Sequence, residues 1–172
     1  MRIEPITDQY LDASLKTITA AFATAKYTDG HEAALVQRLR QSPTYHPEYD
    51  AVALNDDDEV IGYALLSQAL VAAKWPVFVL APLAVHPAWQ HRGVGSALLT
   101  YLEVQAGEDA RRGLSILGDP AYYGHFGYRP VSEWQITPPA GIPAEFFLFK
   151  ELLPGSMATV TGELAYDPAF GI

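Results

Sequence analysis

The chain has 172 residues, 49% of them apolar, with 20 Asp and Glu against 11 Lys and Arg and no cysteine. That length suits one domain with a real core rather than a disordered segment, and a net charge of −9 has the wrong sign for gripping the phosphates of a nucleic acid. Without cysteine there is no disulfide framework, zinc knuckle, iron–sulfur ligation or thiol nucleophile.

Residues 2–7 read as a short strand. Asp8 can cap the helix that follows, because Leu11, Leu15, Ile18 and Phe22 recur at spacings of 4, 3 and 4 along one face. After a polar loop at 25–30, a second helix is expected over 31–40 with Leu35, Val36 and Leu39 inward. Residues 42–50 carry two prolines and read as connection. Residues 51–54 and 60–68 flank the run Asn55-Asp56-Asp57-Asp58-Glu59, which makes a β-hairpin with a solvated acidic tip rather than a metal site. Residues 77–85 are a third long strand, apolar enough to be covered on both faces, and Pro82 within it demands a bulge or a break in pairing. At nine residues it is also the longest strongly apolar stretch, about half of a membrane span.

Val94, Ala97, Leu98, Tyr101, Leu102 and Gln105 give the clearest helix, ending near Gly107. Residues 114–117 follow as a strand, 122–126 as a short helix and 145–151 as a late strand; the tail, 157–172, is too short to be a domain. The order predicts a single α/β domain over residues 1–172, with a mixed, mostly antiparallel sheet and helices on both faces. Glu4 and Asp8 stand where a secretory leader needs a basic start, so a soluble cytoplasmic protein is expected.

Chemistry concentrates between the third strand and the clearest helix, in His86-Pro87-Ala88-Trp89-Gln90-His91-Arg92-Gly93-Val94-Gly95-Ser96. The first amides of a helix have no partner inside it, and glycines at 93 and 95 let a phosphate approach the backbone, so a diphosphate is the natural guest. A dinucleotide fingerprint fits poorly: the third glycine position holds Leu98, although Asp119 could serve as a ribose-binding acid. Walker A is absent, and no pair of histidines with nearby carboxylates has metal-ligand spacing.

These residues resemble the GCN5-related N-acetyltransferase (GNAT) family. Its acetyl-coenzyme A motif, Arg/Gln-x-x-Gly-x-Gly/Ala after a strand ending in an apolar-x-Val-x-Pro pattern, is matched by Leu83-Ala84-Val85-His86-Pro87 and then Gln90-His91-Arg92-Gly93-Val94-Gly95. Downstream, Gly118-Asp119-Pro120-Ala121-Tyr122-Tyr123-Gly124-His125-Phe126-Gly127-Tyr128 is similar to the family's late Tyr-x-x-x-Gly-Phe segment, and most resembles the YhbS-like subgroup of predicted acetyltransferases. The resemblance implies that acetyl-coenzyme A is the co-substrate and that no metal is needed. It implies that the pantetheine arm pairs with Leu83, Ala84 and Val85, and that the pyrophosphate rests on the amides of His91, Arg92, Gly93, Val94, Gly95 and Ser96. Tyr123 is the implied acid for the departing thiolate, with Tyr122 beside it as the competitor.

Some family members carry a glutamate on the strand before the loop, but residues 75–85 contain no acid. Asp29, His31 and Glu32, His86, or a water relay are the remaining candidates for the base. His91, Arg92, Arg111 and Arg112 could supply local positive potential. Two functions are expected from the resemblance: direct acetyl transfer to a primary amine of a small molecule or peptide, or a non-catalytic coenzyme A sensor of the same fold. A homodimer is left open.

Overall fold

The computed structural model of the chain describes residues 1–25 and 28–171; the centre of the loop expected at 25–30 and the final residue of the tail lie outside the described residues. The chain divides into two units, Met1–Leu66 with Ala81–Gln105, and Ser67–Leu80 with Ala106–Ile172.

In the first unit, β1 (Arg2–Pro5), β2 (Asp50–Leu54) and the start of β3 (Val60–Val71) pair antiparallel in that order. The expected hairpin is present, and its acidic tip folds round Asn55, whose Oδ1 accepts the amides of Asp57 at 3.0 Å and Glu59 at 2.9 Å. Two helices, α1 (Leu11–Phe22) and α2 (Glu32–Leu39), supply Ile18, Val36 and Leu39 to the core. Asp8 does not cap α1. It lies inside a tighter 3-10 turn, Asp8–Tyr10, in which the amide of Tyr10 bonds the carbonyl of Thr7, and the α-helix starts only after it.

The face of α1 is less apolar than its spacing suggests, because Ser14 and Thr17 are buried beside Ile18. Thr17 Oγ1 donates to the carbonyl of Val60 at 2.9 Å. Ser14 Oγ accepts from Arg40 at 3.0 Å, and Arg40 Nε donates to Asp50 Oδ2 at 2.8 Å. Tyr45 donates to the same Asp50 oxygen at 2.9 Å, while Arg40 also reaches the Tyr63 hydroxyl at 3.3 Å. Asp50 itself is fully buried, so this network satisfies a charge that water cannot. Burial and the charge of Asp50 push the Tyr63 and Tyr45 phenols up, which keeps both protonated.

The last long helix, α3 (Val94–Glu108), buries Val94, Leu98, Leu99 and Leu102. Its start is seated by Gly62 of β3, where an added Cβ would lie 2.7 Å from Val94 Cγ1 and 2.9 Å from Leu98 Cδ1. Glycine at that one position therefore lets the helix lie directly on the strand.

In the second unit, the first half of β4 (Trp75–Val85) runs parallel to β5 (Gly113–Leu117), and β8 (Phe147–Glu151) pairs antiparallel with β5 and with β6 (Arg129–Pro130). The tail is more than a tail: β9 (Gly162–Ala165) pairs with the end of β3 and with β7 (Ile136–Thr137). The sheet is thus mixed, as expected. The strands β3 and β4 are longer than the sequence suggests because they meet in a tight turn, in which the amide of Lys74 bonds the carbonyl of Val71 at 3.1 Å and Ala72 and Ala73 take φ of 53° and 54°. Among the described residues, no helix is long and apolar enough to cross a membrane.

Candidate functional site

The site begins where β4 stops pairing. Phe78, Val79 and Leu80 lie opposite Leu114, Ser115 and Ile116 of β5, and this pairing ends at the cis Ala81–Pro82 bond, where proline has no amide to extend a ladder. Beyond it, the amide of His86 donates to the carbonyl of Ile61 on β3 at 3.0 Å. Backbone groups of successive strand residues face opposite edges. Ala84 therefore also faces β3, and its side chain is buried, whereas Leu83 and Val85 turn their amides and carbonyls to the other edge. Of the three residues expected to pair with a ligand, Leu83 and Val85 present their backbone groups to the edge away from β3 and Ala84 presents its own to β3.

From this strand end the loop folds back on itself. Gln90 Nε2 donates to the carbonyl of Val85 at 3.2 Å, so the first side chain of the motif clasps the loop to the strand. His86 Nδ1 accepts the amide of Ala88 at 3.3 Å and caps the 3-10 turn Pro87–Trp89, which gives this histidine a structural use. The Arg92 guanidinium sits 5.3 Å from the centre of the Trp89 ring, held at the surface by a cation–π contact.

His91 and Gly93 both have left-handed backbone, with φ of 59° and 80°. A Cβ at Gly93 would meet nothing within 4 Å, so the glycine is there for its backbone angle and for the open space beside it. The carbonyl of Gly93 accepts the amide of Ala97 at 3.0 Å, which starts the bonding of α3. Ahead of it, the first-turn amides have no carbonyl one turn back within the helix, and they carry the positive end of the helix dipole. Gly95 and Ser96 are half-buried on that first turn, while Val94 is buried and anchors it.

Tyr123 belongs to the second unit, on α4 (Pro120–Tyr123). This helix begins two residues earlier than expected, because Pro120 suits the first helical position and Asp119 caps it: Asp119 Oδ1 accepts the amide of Ala121 at 2.9 Å. Asp119 accordingly serves as the cap of α4. Tyr122 is 41% exposed and rests edge-on against Tyr123, with ring centres 5.0 Å apart. Tyr123 is half-buried, and its ring also meets buried Tyr128 at 6.0 Å. Its hydroxyl makes no hydrogen bond among the described residues and is not sealed from solvent. Burial pushes the Tyr123 phenol well above its ordinary value, with a smaller push from Tyr122, so the group stays protonated at neutral pH.

The other candidates are occupied locally. Asp29 Oδ1 accepts the amide of His31 at 2.9 Å, and Glu32 is bonded by the hydroxyl of Thr28, so both carboxylates shape the start of α2. Arg112 donates to the carbonyl of Ser156 at 2.7 Å and lies 4.7 Å from the Trp75 ring, while Arg111 stands over Phe78 at 5.3 Å. Arg112 is thus tied into the second unit rather than held ready for a ligand. Among the described residues, no group of three or more His, Cys, Asp and Glu is placed to hold a metal ion. Two features escaped sequence reasoning. Trp89 as the platform for Arg92 had no spacing signal, and the clasp from Gln90 to Val85 needed the loop's path to be known.

A mixed sheet whose central strand loses its parallel neighbour at a proline, followed by a glycine turn into a helix, defines the acyl-coenzyme A N-acyltransferase fold. Residues 47–130 match the family model described as acetyltransferase (GNAT) domain. The chain is similar to the GNAT family N-acetyltransferase YhbS of Escherichia coli, solved in complex with coenzyme A, with a TM-score of 0.86 at 24% identity over 99% of this chain and 92% of that one. It is also similar to a GNAT family acetyltransferase of Brucella melitensis in complex with acetyl-coenzyme A, with a TM-score of 0.80 at 26% identity over 98% of this chain and 97% of that one. An aminoglycoside 6′-N-acetyltransferase complexed with coenzyme A shares the fold at a TM-score of 0.63 and 16% identity, over 90% of this chain and 98% of that one. A search of curated proteins by sequence gives no match. The chain thus has the fold of the GNAT acetyltransferases, and that family's domain model is matched over residues 47–130.

Proposed function

We propose that residues 1–172 act as one acetyl-coenzyme A-dependent N-acetyltransferase domain, which passes the acetyl group directly to a primary amine of a small molecule or peptide. The observation that carries this reading is the sequel of an outward-facing strand edge at Leu83 and Val85 and a left-handed glycine turn into α3. The pantetheine arm pairs with that edge as an added strand would. The pyrophosphate rests on the amides of His91, Arg92, Gly93, Val94, Gly95 and Ser96, with the Arg92 charge nearby. The amide of Val85, a donor on that edge, polarises the thioester carbonyl, while Gln90 bonds the Val85 carbonyl and holds the loop to the strand.

In the reaction, the neutral amine attacks the carbonyl carbon, the C–N bond forms and the C–S bond breaks. The amine proton passes to water, as β4 carries no acid. The departing thiolate takes a proton from the Tyr123 phenol, which solvent then restores. With no cysteine in the chain, no thioester to the enzyme intervenes.

Calorimetric titration with acetyl-coenzyme A tests the binding step, and saturable binding at micromolar to millimolar concentration is expected. No binding in that range overturns the reading. Thiol release across a panel of amines then separates an enzyme from a coenzyme A sensor, for which no observation in the site speaks. Gly93→Ala isolates the cradle: with open space around the new methyl group, its only cost is left-handed strain of about 1–2 kcal/mol. Relaxation of the turn to escape that strain is expected to weaken acetyl-coenzyme A binding roughly tenfold, with the melting temperature lowered by about 2–8 °C at most.

A further inference from the structure

The segment from Gly118 to Tyr123 joins the end of β5 to α4, and every residue in it has a use except the first. Asp119 caps, Pro120 opens the helix, and Tyr122 and Tyr128 flank the Tyr123 ring. Gly118 takes no left-handed angle, and its amide bonds the carbonyl of Phe146 at 2.9 Å, so its backbone suits any residue but proline. What it lacks is space. A Cβ built there would lie 2.3 Å from Cε2, 2.8 Å from Cδ2 and 3.4 Å from Cζ of Tyr123, and these are its three nearest neighbours. The Tyr123 ring therefore rests on the bare backbone of Gly118. The rings of Tyr122 and Tyr128 also meet it, with ring centres 5.0 and 6.0 Å away.

We propose that Gly118 is a positioning residue: its missing side chain is the seat of the Tyr123 ring and fixes where the phenol oxygen lies. The inference rests on the acid role proposed for Tyr123 and adds to it a reason why the strand must end in glycine. A methyl group at 118 cannot coexist with the ring as placed. The ring stem is rooted in a capped turn, where the amides of Tyr122 and Tyr123 bond the carbonyl of Asp119 at 3.1 and 3.0 Å. The ring must then tilt off the strand, and the hydroxyl, at its far end, moves further than any other atom.

Gly118→Ala, compared with the parent chain in crystals grown with coenzyme A, is expected to show the Tyr123 ring displaced and the Asp119 cap retained. An unmoved ring overturns the seat. In solution, thiol release from acetyl-coenzyme A with the amine selected by the panel is expected to show kcat lower by about tenfold to a hundredfold, the scale of a catalytic group misplaced by an ångström. The Kd of acetyl-coenzyme A should be unchanged. In a Tyr123→Phe background the same alanine should add little, because the hydroxyl it misplaces is already gone. An equal loss of kcat in both backgrounds overturns the positioning role. A displaced ring with unchanged kcat instead overturns the acid role of Tyr123, which distinguishes the two failures. Where Gly118→Ala melts too early to assay, Gly118→Ala in a Tyr123→Ala background provides the second measurement. The vacated ring space should accept the methyl group and remove most of its destabilising effect, and a persistent effect overturns the seat.

Discussion

Tyr123→Phe is expected to lower kcat by about a hundredfold or more while leaving the acetyl-coenzyme A Kd nearly unchanged, the range in which a positioned general acid contributes. The substitution removes one oxygen from a half-buried ring and keeps the packing on Gly118, Tyr122 and Tyr128, so the fold has no reason to respond. The pH dependence gives a second readout. Burial raises the phenol, so the acid form persists to higher pH than a free tyrosine's, and no alkaline fall in kcat from this group is expected until well above about pH 10. The rate should instead rise as pH increases toward the value of the acceptor amine, since only its neutral form attacks. A pH–rate profile of the parent and the Tyr123→Phe variant checks both statements. An unchanged kcat in the variant removes Tyr123 from the chemistry.

Asp50→Asn is expected to have the largest effect on stability. The carboxylate is fully buried and takes bonds from Arg40 and Tyr45, and Arg40 in turn joins Ser14 of α1 to Tyr63 of β3. Removing one partner of such a pair leaves the other charge poorly compensated, at a cost of about 3–5 kcal/mol. For a chain of this length that corresponds to a fall in melting temperature of roughly 10 °C. Thermal unfolding followed by circular dichroism measures it. Because the cost lies in the stranded guanidinium, combining Asp50→Leu with Arg40→Met should destabilise less than the sum of the two single changes. Simple additivity would show that the pair does not act as a unit.

Periodicity in the chain announces α1, α2, α3 and the strands flanking the acidic tip, because in those segments burial follows one face of a regular element. The glycine turn at Gly93 was legible for the same kind of reason: a conformational requirement leaves a residue type behind. What the sequence concealed falls into two groups. The hairpin of β3 and β4 turns on two alanines, Ala72 and Ala73, which carry none of the Asn or Gly signal that such left-handed positions usually show, so that from sequence alone β3 stops at 68 rather than Val71 and β4 starts at 77 rather than Trp75. The buried network of Ser14, Arg40, Tyr45, Asp50 and Tyr63 is assembled from residues that each look like surface polar groups, and only the fold brings them together. Within the site, the orientation of Ala84 toward β3 depends on register, which composition does not carry. The late pairing of β9 with β3 joins segments too distant in sequence for any local pattern to link them.

The backbone edge at Leu83 and Val85 and the first turn of α3 have a consequence for how this protein tolerates change. In the proposed binding mode, backbone groups common to every amino acid hold the coenzyme there, so side chains at His91 and Ser96 can drift with little loss as long as the path of the chain is kept. Constraint falls instead on Gly62 beneath α3 and Gly118 beneath Tyr123, where a side chain would be in the way, and on Gly93, where the left-handed turn disfavours one. A deep mutational scan should accordingly register forbidden additions at these three glycines beside the required hydroxyl of Tyr123, with most other side chains replaceable.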